Sequence, residues 1–408
     1  MKCAVIGGGA AGFFCAITLA EENKNAEVTI FDSGNQFLRK VKISGGGRCN
    51  VTHACFDPRE LVKKYPRGQK ELMGAFYTWQ PKDTVEWFRN RGVQTKTEED
   101  GRMFPVSDQS QSIIDCLKGE AKRLGIDLKK GMAVKSIVHE NSQFKLLFSD
   151  GKIGEFQKVC FAIGSMKSST LTKSIQELGH PIQSLAPSLF AFDINDGELT
   201  KLAGISVKDV SVRILPKGDF QEGPLLITHR GLSGPAILKL SAWEARKLLE
   251  MNYQFSIEIN WLGNQKESDL RNSFAKFRIQ KGQQFVKTKI FEELPRRLWE
   301  SILVKVKIDP ALQWAQLPKK TESHLIRELI SANFQVNGKT MNKEEFVTCG
   351  GIRLKEVNFK KMESRLIPNL HFAGECLDYD GITGGFNFQG AWTTGYIAGK
   401  AMADQNYN

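Results

Sequence analysis

The opening stretch, residues 1–33, constrains this chain more than any other. Lys2–Ile6 is a short apolar run, followed by Gly7-Gly8-Gly9-Ala10-Ala11-Gly12, a G-x-G-x-x-G. Residues 13–20 then carry apolar groups at helical spacing, and residues 28–31 read as a second strand that ends at Asp32, twenty residues after Gly12. The order is strand, glycine turn, helix, strand, acid. Gly7 permits the tight strand-to-helix turn, Gly9 lets the backbone approach a pyrophosphate, and Gly12 lets the helix pack against the strand. The free N–H groups and positive dipole end of that helix then face the phosphates. Asp32 is placed to accept from a ribose hydroxyl. A secretory leader is not expected, because four glycines interrupt the apolar run and Glu21 and Glu22 follow it.

With 408 residues the chain has room for two or three domains. Its 41% hydrophobic and 25% charged content is that of a soluble globular protein. No apolar run reaches the roughly 18 residues of a membrane span. Eight cysteines are scattered without a C-x-x-C. This argues against a disulfide framework and a metal site, and for a cytoplasmic protein. The net charge is +12 and uneven: residues 271–320 hold 12 Lys+Arg against 4 Asp+Glu, a net +8. Such a block is either a solvated basic surface or a docking face for a polyanion, with RNA the foremost candidate.

Further along, Lys42-Ile43-Ser44-Gly45-Gly46-Gly47-Arg48-Cys49-Asn50 places three glycines in a row. They suit a loop whose backbone comes close to a ligand, with Lys40, Lys42 and Arg48 adding positive charge. Residues 57–100 read as helices, 101–107 as turns, and 109–124 as an amphipathic helix. Strands are expected at 134–138 and 144–148. Residues 159–164 form an apolar run ending in Gly164, expected to be a buried parallel strand of the central sheet. From residue 187 the pattern becomes strand-rich, with a helix over 236–249 capped by Ser233. Residues 264–321 read as helical. Residues 370–375 form a strand ending in Gly374-Glu375, and a glycine-rich segment at 381–391 leads into a final helix at 392–402.

The segments GGGAAG (7–12), KISGGGRCNVT (42–52), GRMFPVS (101–107), THRGLSGPAIL (228–238), VTCGGIRLKEV (347–357) and FAGECLDYDGITGGFNFQGAWTTG (372–395) resemble the BaiN/RdsA family. These are NAD(P)/FAD-dependent oxidoreductases, also called aminoacetone oxidase family flavoproteins. The resemblance spans nearly the whole chain. It implies an α/β fold: a Rossmann-like two-dinucleotide-binding FAD domain, interrupted by an inserted β-barrel-like domain that carries a small helical domain. The expected boundaries are 1–188 with 346–408 for the FAD domain, 189–262 with 322–345 for the β domain, and 263–321 for the basic helical part. The implied FAD contacts are Gly7, Gly9, Ala10, Ala11, Gly12 and Asp32 on the ADP half, and Lys42, Ser44, Gly45, Gly46, Gly47, Arg48, Cys49 and Asn50 along the pyrophosphate and ring. Gly164, Gly374, Glu375, Gly385, Phe386, Asn387 and Phe388 complete the set on the ribityl and pyrimidine side. The segment Ile163-Gly164-Ser165-Met166-Lys167-Ser168-Ser169-Thr170 departs from the Gly-Gly pair and glycine-rich turn usual there.

Some members of this family are associated with reduction of uridine to dihydrouridine in large-subunit rRNA, which needs an acid to protonate C5. Cys49 and His229 are the candidate acids. Cys49 would otherwise pack against the cofactor, and His229 would otherwise position its Gly/Ser/Pro-rich loop. The basic stretch would hold rRNA phosphates, with Trp299 and Trp314 either stacking bases or forming a core. The alternative is a small-molecule flavoenzyme, an aminoketone or amine oxidase or an enone reductase. A second G-x-G-x-x-G is absent, so NADPH or NADH would bind transiently as electron donor. No membrane partner is expected.

Overall fold

The computed structural model describes residues 1–166, 169–340 and 347–404. The chain divides into two compact units, Met1–Ala186 with Lys343–Asn408, and Pro187–Asn342.

The first unit is built on a seven-stranded sheet. Its centre is β1 (Lys2–Ile6), parallel to β2 (Glu27–Phe31) on one side and to Lys158–Phe161 on the other. Leu370–Phe372 continues the parallel set, and a short antiparallel pair closes that edge. All four residues of Lys158–Phe161 are buried, as a strand covered on both faces requires. One face is covered by α1 (Ala10–Glu22) and the last helix, Phe386–Ala403. The other is covered by the three-stranded meander at Val134–Glu140, Gln143–Phe148 and Ile153–Phe156, whose Phe148 ring lies 4.7 Å from Phe31.

α1 and the last helix run parallel and very close, because glycines face backbone. A Cβ on Gly395 would stand 2.6 Å from the Ala11 carbonyl oxygen, and one on Gly399 2.4 Å from that of Cys15. Gly395 lies nine residues beyond Phe386. At 1.5 Å per residue, the last helix therefore begins about 13 Å ahead of Ala11.

The second unit holds an antiparallel seven-stranded sheet, ordered Ala332–Val336, Phe255–Asn260, Ser206–Ile214, Gln221–Thr228, Gly231–Ser233, Ala191–Asp193, Gly338–Thr340. A barrel-like sheet was the expectation. The two end strands of the sheet are one run of chain interrupted at Asn337, which pairs with Phe255–Asn260 through Ala332–Val336 and with Ala191–Asp193 through Gly338–Thr340. Helices Glu267–Lys281, Arg296–Lys305 and Lys319–Ile330 pack around Phe274, Trp299 and Trp314.

Four local expectations need correction. Residues 101–107 are not all turn, because Arg102–Pro105 pairs as a strand with Thr52–His53 and Thr95–Thr97. Ser233 caps nothing: it pairs with Leu226 in the sheet, and the helix starts at Pro235 behind Gly234 at φ +94°. The helix expected over 236–249 is two helices, Pro235–Trp243 and Ala245–Glu250. The final helix starts at Phe386, six residues earlier than its apolar spacing indicates. Gly390 sits inside that helix because a Cβ there would meet the Tyr379 ring at 2.6 Å.

Candidate active site

The carboxyl ends of the parallel strands of the first unit converge on one backbone-lined site. Gly7, at φ +113°, leaves β1 so close to the next strand's exit that a Cβ would stand 2.2 Å from the Ala162 carbonyl oxygen. A Cβ on Gly12 would lie 1.9 Å from the Gly7 carbonyl oxygen, so helix and turn interlock. Gly9, between them, has nothing within 4 Å of its Cβ position. Two glycines are thus fixed by packing, while the middle one faces open space at the helix N-terminus. Asp32 is bound into the same turn: one carboxylate oxygen accepts from the Gly8 N–H and the other from the Gly34 N–H, both at 2.7 Å.

The glycine triplet makes the second wall. α2 (Arg39–Ile43) leads into a short turn, Ser44–Gly47, in which Gly45, Gly46 and Gly47 have φ of +58°, +68° and +86°. Side chains other than glycine pay to adopt that left-handed backbone. Gly46 and Gly47 have nothing within 4 Å of their Cβ positions, whereas Gly45 is pressed against Phe104. Ser44 turns inward, its hydroxyl donating to the Val41 carbonyl at 3.0 Å. Lys42 is exposed. Arg48 does not offer a free charge: its guanidinium lies 3.9 Å over the Phe104 ring and pairs with Glu98 at 2.6 Å and Asp108 at 3.6 Å.

The third wall is the start of the last helix. Asn50 ties it to the glycine loop. With its amide oriented to satisfy both ends, its nitrogen donates to the Thr52 and Met103 carbonyls and its oxygen accepts from the Gly385 N–H at 2.9 Å. Asn387 holds the preceding segment, exchanging hydrogen bonds with the Gly381 N–H and carbonyl at 2.9 and 2.8 Å. Phe386 is buried and stacks on His53 at 4.6 Å, and its carbonyl accepts from the Tyr65 hydroxyl at 2.6 Å. Phe388 stacks one helical turn along on Trp392 at 5.7 Å. Gly374, at φ +78°, approaches Ala11, and Glu375 accepts from the Thr348 N–H at 3.0 Å and pairs with Lys40. Gly164, at φ +74°, lies beside the Glu375 carboxylate. Of the atypical segment after it, Lys167 and Ser168 lie outside the described residues.

Cys49 is a correction. It has no exposed surface, sits at φ +62°, and burial pushes its thiol up to about 12 against a hydrogen bond with Ser44 that acts the other way. A side chain that no solvent reaches touches no substrate, and a thiol so held is a weak acid. His229 belongs to the other unit and is exposed, in the two-residue turn between Gln221–Thr228 and Gly231–Ser233. Trp299 and Trp314 are fully buried, 6.2 Å apart, and stack on each other, so they form a core rather than a base-stacking surface.

Sequence reasoning missed the ion pair of Arg67 with the fully buried Asp380, which anchors the segment before the last helix. It also missed His53, whose Nε2–H donates to the Asp100 carbonyl at 3.0 Å and whose pKa is lowered by burial. Nothing local marks either, since their partners are remote in the chain or are backbone.

A family model, the HI0933-like protein Rossmann domain, matches residues 1–401. The chain belongs to that family. It is a flavin-dependent oxidoreductase. It is similar, at 28% identity over 98% of this chain and 97% of the relative, to a ribosomal RNA dihydrouridine synthase of Escherichia coli K12. It is also similar, at 27% identity over 99% of both chains, to a 3-dehydro-bile acid delta(4,6)-reductase of Clostridium scindens. Among solved structures it resembles the 3-ketosteroid-delta4-(5alpha)-dehydrogenase of Rhodococcus jostii RHA1, with a TM-score of 0.53, 13% identity and 99% and 97% of the two chains covered. That likeness concerns the fold. No described helix is long and apolar enough to cross a membrane.

Proposed function

We propose that this protein binds FAD along the three walls described above and reduces uridine to dihydrouridine in large-subunit rRNA. The fit to FAD rests on where glycine is and is not packed. Gly9, Gly46 and Gly47 line open space, whereas Gly7 and Gly12 are jammed against backbone and Gly8 and Gly45 against the Phe37 and Phe104 rings. The first helix N-terminus suits a pyrophosphate, and the last helix begins about 13 Å ahead of it, a spacing suited to a flavin carried on a ribityl chain. Once bound, the flavin supplies hydride to a C=C bond conjugated with a carbonyl, such as C5=C6 of uracil. The N-terminus of the last helix would offer its positive end to the flavin ring, where it would favour negative charge. The Lys40–Glu375 pair would flank the ribityl chain. Cys49 is enclosed, so the proton to C5 would come from another acid or from water. NADPH or NADH would serve as transient donor of electrons.

The observation that carries the RNA substrate is the end-to-end similarity to a ribosomal RNA dihydrouridine synthase, supported by the outward cations of residues 271–320. In this reading 263–321 is an rRNA-docking subdomain on a barrel-like insert, and the protein is cytoplasmic. The bile-acid reductase relative supports a second reading, reduction of a small enone in the same site. The deciding experiment incubates anaerobically reduced protein with large-subunit rRNA lacking dihydrouridine and counts the product by mass spectrometry. Dihydrouridine that forms with wild type and not with a flavin-free Gly9→Glu variant is the expected result. No product, with turnover of a 3-oxo-Δ4 steroid instead, would replace the RNA reading by the second.

A further inference from the structure

We infer that the turn joining Glu267–Lys281 to the next helix is a docking surface for single-stranded RNA, with the Phe285 ring as a base-stacking platform. This rests on the RNA reading above and names the surface that reading lacks. Of the aromatic side chains between 263 and 321, Phe285 is the one with a substantially exposed ring, at 43%. Phe274, Phe291, Trp299 and Trp314 are buried, and Phe277 is partly so. Phe285 and Lys287 are exposed while Val286 between them is buried, in a turn closed by the Thr288 N–H donating to the Phe285 carbonyl at 2.9 Å. The Lys287 ammonium lies 5.3 Å from the Phe285 ring centroid, so the two share a face.

The cations of this stretch divide sharply. Arg278 is turned inward, donating to the Trp314 and Leu317 carbonyls and to Glu322. Lys289 donates to the Glu292 and Leu294 carbonyls. Arg271, Arg296 and Lys305 pair with Glu267, Glu300 and Glu328. Lys276, Lys281 and Lys287 are exposed and pair with no described carboxylate. Asp309, next to the Pro310 whose carbonyl accepts from the Lys287 N–H, is engaged by the Ala311 N–H. A ring beside mobile ammonium groups is what an unpaired base and its phosphates require, because stacking tolerates any base and lysine holds phosphate as a point charge. An anionic membrane fits less well. The outward face of the helix, at Asn272, Ala275, Lys276, Ile279 and Gln280, carries a single large apolar side chain, Ile279.

The test uses the full chain with FAD bound and a fluorescein-labelled single-stranded fragment of large-subunit rRNA, read by anisotropy across a salt series. Phe285→Ala is expected to weaken binding roughly 5- to 100-fold with the salt slope unchanged, and Phe285→Trp to restore it. Lys276→Gln, Lys281→Gln and Lys287→Gln together are expected to flatten the slope of log K against log salt by about 2. The flavin absorbance of each variant checks the fold. Wild-type binding that all variants reproduce, with dihydrouridine still formed, would overturn this surface and leave the RNA reading standing. No binding and no dihydrouridine would overturn both. Variants that lose binding to phosphatidylglycerol vesicles but not to RNA would overturn the surface in favour of a membrane.

Discussion

The backbone-lined walls of the first unit and the basic helical stretch of the second are made in opposite ways. The first is made of backbone. Its glycines either clear a neighbouring carbonyl or open a floor, and few of its side chains face the open space. The second is made of side chains on ordinary helices, and its character depends on which cations turn in and which turn out. A backbone-made site tolerates almost nothing where it is packed and a great deal where it is open. A side-chain-made face should behave the other way round, robust in fold and sensitive in binding.

The sharpest way to break that contrast is within the dinucleotide turn. Gly12→Ala places a methyl 1.9 Å from the Gly7 carbonyl oxygen, against backbone that cannot yield. We expect a loss of about 5 kcal/mol or more, seen as failure to recover folded protein. Gly9→Ala has nothing within 4 Å and an ordinary φ of −90°. It is expected to leave the urea midpoint of flavin-free protein unchanged while FAD affinity falls roughly tenfold, about 1.4 kcal/mol. Equal stability loss in both variants would mean the turn is not divided into packed and open glycines. Next in size is Trp299→Ala, which empties a fully buried site beside Trp314 and removes the indole N–H donated to the Val286 carbonyl at 3.0 Å. A loss of about 4 kcal/mol is expected. Its signature is loss of near-ultraviolet dichroism, and a Trp299 that merely stacked on RNA would cost nothing in stability.

The same contrast explains what could be read from the sequence. β1, α1, β2 and the jobs of Gly7 and Gly12 were legible because a local run of residues fixes all of them at once. The glycine triplet was legible for the same reason. The Asn50 bond to Gly385 and the Arg67 pair with Asp380 were not, since each joins segments more than 300 residues apart and neither leaves a periodic trace. Ser233 misled because a serine before an apolar helix is a capping signal, and here the strand pairing with Leu226 takes precedence. Cys49 looked reactive beside Arg48 and proved enclosed. Burial of a single residue in a loop has no sequence signature, and neither does the exposure of Phe285 among buried aromatics.

A pH titration separates the two regions by their buried groups. His371 is buried in the central sheet of the first unit, and burial pushes its pKa down to about 3, against a hydrogen bond with the Lys361 carbonyl. The folded protein keeps it neutral while the unfolded chain protonates near 6.5, so unfolding gains a proton as pH falls. Its contribution is therefore complete above pH 6.5 and is lost progressively toward pH 3, at about 1.4 kcal/mol per unit. Between pH 7 and 5 the loss is about 2 kcal/mol. The difference in urea midpoint between wild type and His371→Gln should shrink over that interval, and a constant difference would count against the buried neutral imidazole.

The smallest expected effects lie inside the basic stretch and test whether its cations are of two kinds. Arg278 is 27% exposed and donates to Glu322, itself 10% exposed, at 2.6 Å, and also to two carbonyls. Arg278→Gln leaves that carboxylate and those carbonyls short of donors, which should cost about 2 kcal/mol. Lys276→Gln, Lys281→Gln and Lys287→Gln remove exposed ammonium groups and should each fall within about 0.5 kcal/mol of wild type. Low salt should stabilise the lysine variants slightly, because each removes repulsion from a +8 block. Arg278→Gln should remain destabilised at any salt, since hydrogen bonds to enclosed carbonyls are not screened. If Arg278 and the lysines respond alike, the stretch is a uniform charged surface, its inward and outward cations are not distinct, and the RNA face drawn from that division loses its basis.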